Sequence, residues 1–202
     1  MIENRLVSPQ HALLQYHLHR FAGLSETDTE LANEFWTLRS IPKHDYFNFR
    51  NSVCRHVGFI VKGIFRVYYT DPKTEQEHNL VFANENMFLA SLKSMVTQTA
   101  CPYAIEALED AELLVIQHDH LQALYGQSHG WERFGRLLAE QYLIFNQSRS
   151  ESLLTQTAEE RYVDLMKNYP DLLNRVSLGH ISSYLGIKGP SLSRIRAHIA
   201  HK

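Results

Sequence analysis

Cysteine is nearly missing from this sequence: its 202 residues include two, Cys54 and Cys101. That scarcity excludes a disulfide-stapled scaffold, a four-cysteine iron–sulfur cluster and a zinc finger built on cysteines. Both thiols are expected to behave as small apolar residues. Long apolar runs are missing as well. Val57–Ile64 is broken by Lys62 and Tyr142–Phe145 is far too short, where a membrane span needs about 20 apolar residues. Met1-Ile2-Glu3-Asn4-Arg5 carries no positive cluster ahead of an apolar stretch, the pattern of a secretory signal. The expected location is therefore the cytoplasm, with no membrane partner. Negative charge is absent from one end of the chain. No Asp or Glu follows Asp171, while Arg175, Lys188, Arg194, Arg196 and Lys202 give residues 172–202 a formal charge of +5, leaving −7 for the remainder. A compact basic module on an acidic body is the charge pattern of a protein that binds a phosphate backbone.

What is present falls into stretches of different period. From about residue 9 to 38, Leu14, Leu18 and Phe21, then Leu31, Phe35 and Leu38, recur at helical spacing, with Ser25 and Thr27 as helix starts between them. These helices are expected to cover whatever follows. From about 44 to 117 the period becomes two: Phe59, Val61, Gly63, Phe65, Val67 and Tyr69 alternate with Ile60, Lys62, Ile64, Arg66 and Tyr68. Asp71-Pro72 marks a turn, and residues 79–82, 103–108 and 112–116 supply further strands, which together suggest a β-roll or jelly-roll sandwich. A long helix is expected from near Ser128 to near Thr155. Along it Trp131, Phe134, Leu138, Tyr142 and Phe145 form one seam of about 3.5-residue period. Such a seam packs either on its own domain or on a second copy. A helix linking an all-β body to a basic end has little of its own to bury against, so a parallel homodimer through these five residues is expected. Thr157-Ala158-Glu159-Glu160 is a capping-box pattern opening a helix with Tyr162, Leu165 and Met166 that stops near Pro170. The chain thus reads as α+β: a β-roll with helical cover over 1–125, a connecting and dimerising helix over 126–156, and a small helical module over 157–202.

The segment Leu178–Ile195 carries the most information. Two short helices that cross steeply need apolar residues where they touch, a small residue at the closest approach and a glycine at the turn. Ile181, Leu185, Ile187, Leu192 and Ile195 fill the apolar positions, Ser182 is the small residue, and Gly186 sits at the turn. Gly189 and Pro190 suit a helix cap and first helical position. The residues left outward are Lys188, Ser191, Ser193, Arg194 and His198, with Arg196 nearby. These are donors for phosphates and guanine edges, and no carboxylate lies among them. The alternative, a helical hairpin that touches no DNA, is disfavoured by that face.

In this order of segments the chain resembles the Crp/Fnr superfamily of bacterial regulators. His56–Tyr68 is similar to the roll strands with their glycine before the next strand, Tyr103–Ile116 to the closing strands, and Ala158–Tyr162 to the start of the DNA-binding domain. Ser183–Ile187 followed by Leu192–Arg196 is the most specific part. The resemblance implies a sensory β-roll, a dimerising helix and a C-terminal helix-turn-helix reading a two-fold site in double-stranded DNA, with RNA polymerase as a further partner. It places the recognition arginine on Arg194, with Lys188, Gly189, Ser191, Ser193 and Arg196 as its companions at the DNA. Gly189-Pro190 stands where some members carry Arg-Glu, so a preferred DNA sequence does not transfer. The short span from Asn168 to Leu178 leaves little room for the wing hairpin found in many members.

Nucleotide-binding members present glycine, glutamate and arginine from a loop of the roll, because a buried phosphate requires a matched cation and donors. This chain has no arginine from Val67 to Glu132 and no glycine from Ile64 to Tyr125, and Lys93 is the single cation of the corresponding loop, Asn86–Pro102. Cyclic nucleotide bound in the family's usual way is not expected, and no cofactor is assigned. Asn86, Phe88, Ser91 and Tyr103 are the candidate contacts for an unidentified effector. A roll that only packs, leaving a constitutive or partner-controlled regulator, is the alternative. A metal-dependent jelly-roll enzyme of the cupin kind is the rival from another class, and it would need clustered histidines and carboxylate. His17-Leu18-His19 falls in an expected helix, where side chains two apart diverge, and His118-Asp119-His120 follows the last strand. No metal ligands, nucleophile or other catalytic residues are assigned, and an enzyme is not expected.

Overall fold

The computed structural model describes residues 8–200; the Met1–Arg5 stretch and the Lys202 charge discussed above lie outside them. Helix α1 (Pro9–Ala22) opens with Ser8 Oγ accepting from the His11 amide and Pro9 in its first turn, and stops at Gly23 in the left-handed conformation. Helix α2 (Glu26–Ala32) is fixed by a reciprocal capping box between Ser25 and Asp28. It is shorter than its periodicity suggests. Leu38, read as helical, lies in strand β1 (Thr37–Ile41), paired with Leu114 and exposed. Pairing with a strand more than seventy residues away overrides the local spacing.

Among the described residues, eight strands form two four-stranded antiparallel sheets. The first, in the order β1-β8-β3-β6, uses β8 (Ala111–Gln117), β3 (His56–Lys62) and β6 (Phe88–Leu89). The second, in the order β2-β7-β4-β5, uses β2 (Tyr46–Asn48), β7 (Tyr103–Ala107), β4 (Phe65–Thr70) and β5 (Glu77–Ala83). The long alternating run 59–69 is therefore two strands in different sheets. The break falls at Gly63, with φ +107 and a hypothetical Cβ only 2.6 Å from Ala111 Cβ, a backbone position open to glycine alone.

Three apolar clusters hold the molecule together. Between the sheets pack Ile41, Phe47, Ile60, Phe65, Ile105, Leu113 and Val115. On the outer face of the first sheet, Val57, Phe59, Leu114 and Ile116 meet α1, α4 (His118–Gln127) and the start of α5 (His129–Thr155). The third cluster joins Ile64, Phe82 and Leu108 of the roll to Tyr162, Leu165, Leu172, Val176, Ile181, Leu185 and Leu192. These last residues belong to α6 (Ala158–Asn168), the short α7 (Leu172–Arg175) and its following residue, α8 (Leu178–Tyr184) with its cap, and α9 (Gly189–Ala200). The C-terminal helical module is thus docked on the roll by a shared core. Between β6 and β7 lies a further short helix, Leu92–Thr97, numbered α3 in chain order. The span between α6 and α8 carries α7 and no strand.

The seam of α5 divides. Trp131 and Phe134 are 0% exposed, with the Trp131 Nε1 donating to the Asp28 backbone oxygen at 2.7 Å and Phe134 edge-on to Phe21 and Phe88. Their burial within their own chain leaves them no surface for a second copy, which corrects their assignment to a dimer contact. Periodicity alone cannot tell which partner a stripe meets.

Candidate nucleic-acid interface

The interface is built from α8, a tight turn and α9. Ser177 caps α8 by accepting from the His180 amide. Gly186 takes the left-handed conformation, φ +70, which reverses the chain, while the Ile187 amide donates to Ser182 O at 3.0 Å. Ser182, 5% exposed, turns its hydroxyl back to Gly179 O at 2.9 Å, so it brings no unsatisfied polar atom to the contact. Ile181 and Leu185 are 0% exposed and Leu192 is 1% exposed. Arg161 of α6 braces the turn, its Nε and Nη2 donating to Leu185 O at 3.1 and 2.9 Å. Helix α9 begins at Gly189, with Lys188 O accepting from the Ser191 and Leu192 amides, so the cap falls one residue before the position read from sequence.

Lys188, Gly189, Ser193, Arg194 and Arg196 are exposed on α9 and the turn before it, and Ser191 is half-buried. Arg194 Nε rests on Pro190 O at 3.4 Å and is held by no carboxylate among the described residues, and the Ser193 hydroxyl donates to Gly189 O at 3.3 Å. Two features were invisible in the sequence. Glu159 of α6 approaches His198 at 3.8 Å, so the far end of this face is not free of acid. Arg175, one of the five basic tail residues, is turned away from it altogether. It clamps Glu85 of the roll at 2.6 Å and also Glu109, and the pairing holds Glu85 down at a pKa of about 2.

The module is tied to the roll by a polar latch as well as by its core. Ser183 Oγ accepts from the Asn79 amide at 3.0 Å and donates to Glu77 O at 2.9 Å, satisfying the outer edge of β5. Arg66, buried, donates through Nε and Nη2 to Glu106 at 2.8 and 2.6 Å and through Nη1 to Glu77 at 2.6 Å. The same Nη1 reaches His180 Nδ1 at 3.2 Å, and Asn79 Nδ2 donates to His180 O at 3.2 Å. Burial, and then the Arg66 guanidinium pointing at Nδ1, push the pKa of His180 below its ordinary value.

The residues proposed from sequence for an effector do not converge on one cavity. Asn86 and Phe88 line a surface cleft of about 240 Å³ with His17, Arg20 and Phe21. Ser91 is buried, its Oγ 2.9 Å from Cys101 Sγ and its amide donating to Cys54 Sγ at 3.4 Å. Tyr103 sits edge-on to Tyr69. Between the loop 86–102 and α5 lies a small apolar cleft of about 40 Å³, lined by Val57, Phe88, Leu92, Leu138 and Tyr142. Drug-sized ligands occupy roughly 300–1,000 Å³, so this cleft as it stands has no room for a nucleotide. Among the described residues no group of three or more His, Cys, Asp or Glu is placed to hold a metal ion. No helix among them is long and apolar enough to cross a membrane.

Residues 38–128 match the family described as the cyclic nucleotide-binding domain. No curated protein sequence is a significant match. Among solved structures, the chain is similar to FixK2 from Bradyrhizobium japonicum, with 16% identity and a TM-score of 0.72 over 82% of this chain and 85% of that one. It is similar to CLP, a c-di-GMP-responsive global regulator from Xanthomonas campestris, with 13% identity and a TM-score of 0.69 over 88% and 92% of the two chains. A protein from Eubacterium rectale assigned to the Crp/Fnr regulators matches with 14% identity and a TM-score of 0.70 over 88% and 84%. Residues 38–128 are thus similar to the cyclic nucleotide-binding domain, and the chain has the fold of solved Crp/Fnr transcription regulators.

Proposed function

We propose that this chain is a sequence-specific DNA-binding transcription regulator that acts as a homodimer in the cytoplasm. The observation that carries this is the exposed face of α9, where Ser193, Arg194 and Arg196, with Lys188 just before the helix, stand behind a glycine turn. A helix so presented fits the major groove, with its first residues at base edges and its arginines at guanine or phosphate. Arg194 is the base-reading residue, with Lys188, Gly189, Ser191, Ser193 and Arg196 positioning the helix on the backbone.

Dimerisation runs through α5 in this reading. With Trp131 and Phe134 taken by the core, and Leu138, Tyr142 and Phe145 lining clefts against their own chain, the contact falls to the other side of α5, where Leu143 and Ile144 are 66% and 65% exposed. Pairing of two such helices sets two copies of α9 about one DNA turn, or 34 Å, apart. The joint lies at Gln156 and Thr157, both extended between α5 and α6, where a change in the roll would alter that spacing. Three units, 1–125, 126–156 and 157–202, then serve sensing, pairing and DNA binding. The roll senses an effector other than a cyclic nucleotide held in the usual way, as the cleft of about 40 Å³ supports. The same small cleft also favours a second reading, in which the roll is a packing scaffold and control comes from a protein partner. In either reading RNA polymerase is a further partner.

Selection of bound sequences from random duplex DNA, at two salt concentrations, tests the proposal. A two-fold symmetric site whose affinity falls steeply with salt is expected. Failure to enrich any sequence, with or without cell extract as a source of effector, would overturn it.

A further inference from the structure

The chain treats its structural arginines in two different ways. Arg66, which is buried, is neutralised by Glu106 and Glu77, and Arg175, which is exposed at the surface, by Glu85 and Glu109. Arg149, half-buried on the last turns of α5, has no such partner among the described residues. Its guanidinium lies 3.9 Å from the centre of the Tyr184 ring and donates to Tyr184 O. Arg161 stands nearby and is likewise bonded only to backbone oxygens, those of Gln156 and Leu185. Burial, with Arg161 adding like charge, lowers the pKa of Arg149.

Both arginines line a cleft of about 310 Å³ between the end of α5 and the helical module. Phe145, Tyr169 and Tyr184 give it apolar walls, and Ser148 and Ser152 lie along the α5 side. One carboxylate, Asp164, faces it, and its Oδ2 accepts from Gln156 Nε2 at 2.8 Å. The cleft therefore holds two guanidiniums against one carboxylate that is already engaged. Partly desolvated cations without a counter-ion are costly, and a ligand anion with hydrogen-bonding oxygens relieves that cost. The volume is several times that of the small cleft between loop 86–102 and α5 and falls in the range of small-molecule sites.

We propose that this cleft binds a small organic anion, a carboxylate or phosphate on an aromatic or branched apolar body, with Arg149 as the principal contact and Arg161 beside it. The anion would sit against the Arg149 fork and its apolar part against Phe145 and Tyr169. A ligand seated there touches α5 on one side and α8 through Tyr184 on the other, so it fixes the joint at Gln156–Thr157. That regulatory consequence rests on the DNA-binding reading; the binding itself does not.

The test is an NMR titration of the full chain without DNA, using phenyl phosphate, benzoate and phenol as probes. Saturable shifts of the Arg149 Nε–H and Tyr184 amide signals are expected for at least one anion, in the low millimolar range, and none for phenol; which anion binds separates phosphate from carboxylate. Ser152→Glu places a carboxylate three residues from Arg149 on the same helix face, and about tenfold weaker anion binding is expected. Arg149→Lys keeps the charge but loses the planar fork and the ring stack, and it weakens binding independently. No saturable shift up to about 10 mM of either anion, an equal response to phenol, or full-strength binding by both variants would overturn the site. Because DNA is absent, loss of this site leaves the DNA-binding reading standing, and the reverse also holds.

Discussion

At the scale of single residues, the chain distinguishes positions that hold the fold from positions left free to act. Gly63 belongs to the first kind. Its φ of +107 and the 2.9 Å approach of a hypothetical Cβ to Ala111 Cα admit no side chain, so Gly63→Ala is expected to destabilise the fold by about 1–3 kcal/mol. A denaturation midpoint equal to that of the parent chain would contradict the strain argument. Ser182 and Gly186 are of the same kind and were legible in the sequence, because the contact of two crossing helices demands a small residue and a left-handed turn wherever it occurs. Arg175 was not legible. As a sequence element it is one more tail cation, and only folding brings Glu85 and Glu109 to it.

At the scale of elements, helix α5 shows both how far a pattern reaches and where it stops. Its start, its end and its apolar seam all follow from local sequence, but Trp131 and Phe134 pack on α1 and α2 while Leu143 and Ile144 remain exposed. The pattern fixes a face, not the partner that covers it. Two substitutions separate these roles. Trp131→Ala is expected to cost about 3–5 kcal/mol of stability, read from chemical denaturation. Ile144→Glu is expected to leave the melting behaviour of the roll nearly unchanged and to shift the protein to monomer in sedimentation; a dimer that persists would remove α5 from the interface. Leu38 shows the opposite failure: a residue at helical spacing becomes part of a strand because β8, far along the chain, pairs with it. Sheet order and the splitting of residues 59–69 between two sheets depend on such distant pairings, so local period could not supply them.

At the scale of the whole molecule, the central feature is that the helical module is fastened to the roll. The fastening joins the apolar cluster around Phe82 and Leu165 to the latch of Arg66, Asn79, His180 and Ser183. The latch bonds span more than a hundred residues and left no trace in the sequence. The latch predicts a pH dependence. The folded pKa of His180 lies below its ordinary 6.5, as do those of His17 and His56, so the folded chain binds fewer protons than the unfolded one. Around His180, Arg66 and His44 disfavour the proton while Glu106 and Glu77 favour it, burial being the largest influence. Stability is therefore fully present above about pH 6.5 and declines as pH falls toward the folded values. Melting temperatures measured from about pH 7.5 down to about pH 5.5 should fall, and fall less in His180→Gln; equal slopes in the two proteins would take His180 out of the latch.

Reading of DNA by α9 is tested most directly by selection from random duplexes performed side by side with the parent chain and Arg194→Ala. The expected result is a two-fold motif in both, with the same spacing between half-sites. The variant should lose discrimination at one base position per half-site and about 1–3 kcal/mol of affinity. An unchanged motif in the variant, bound with unchanged affinity, would contradict the role given to Arg194 and to the helix that carries it.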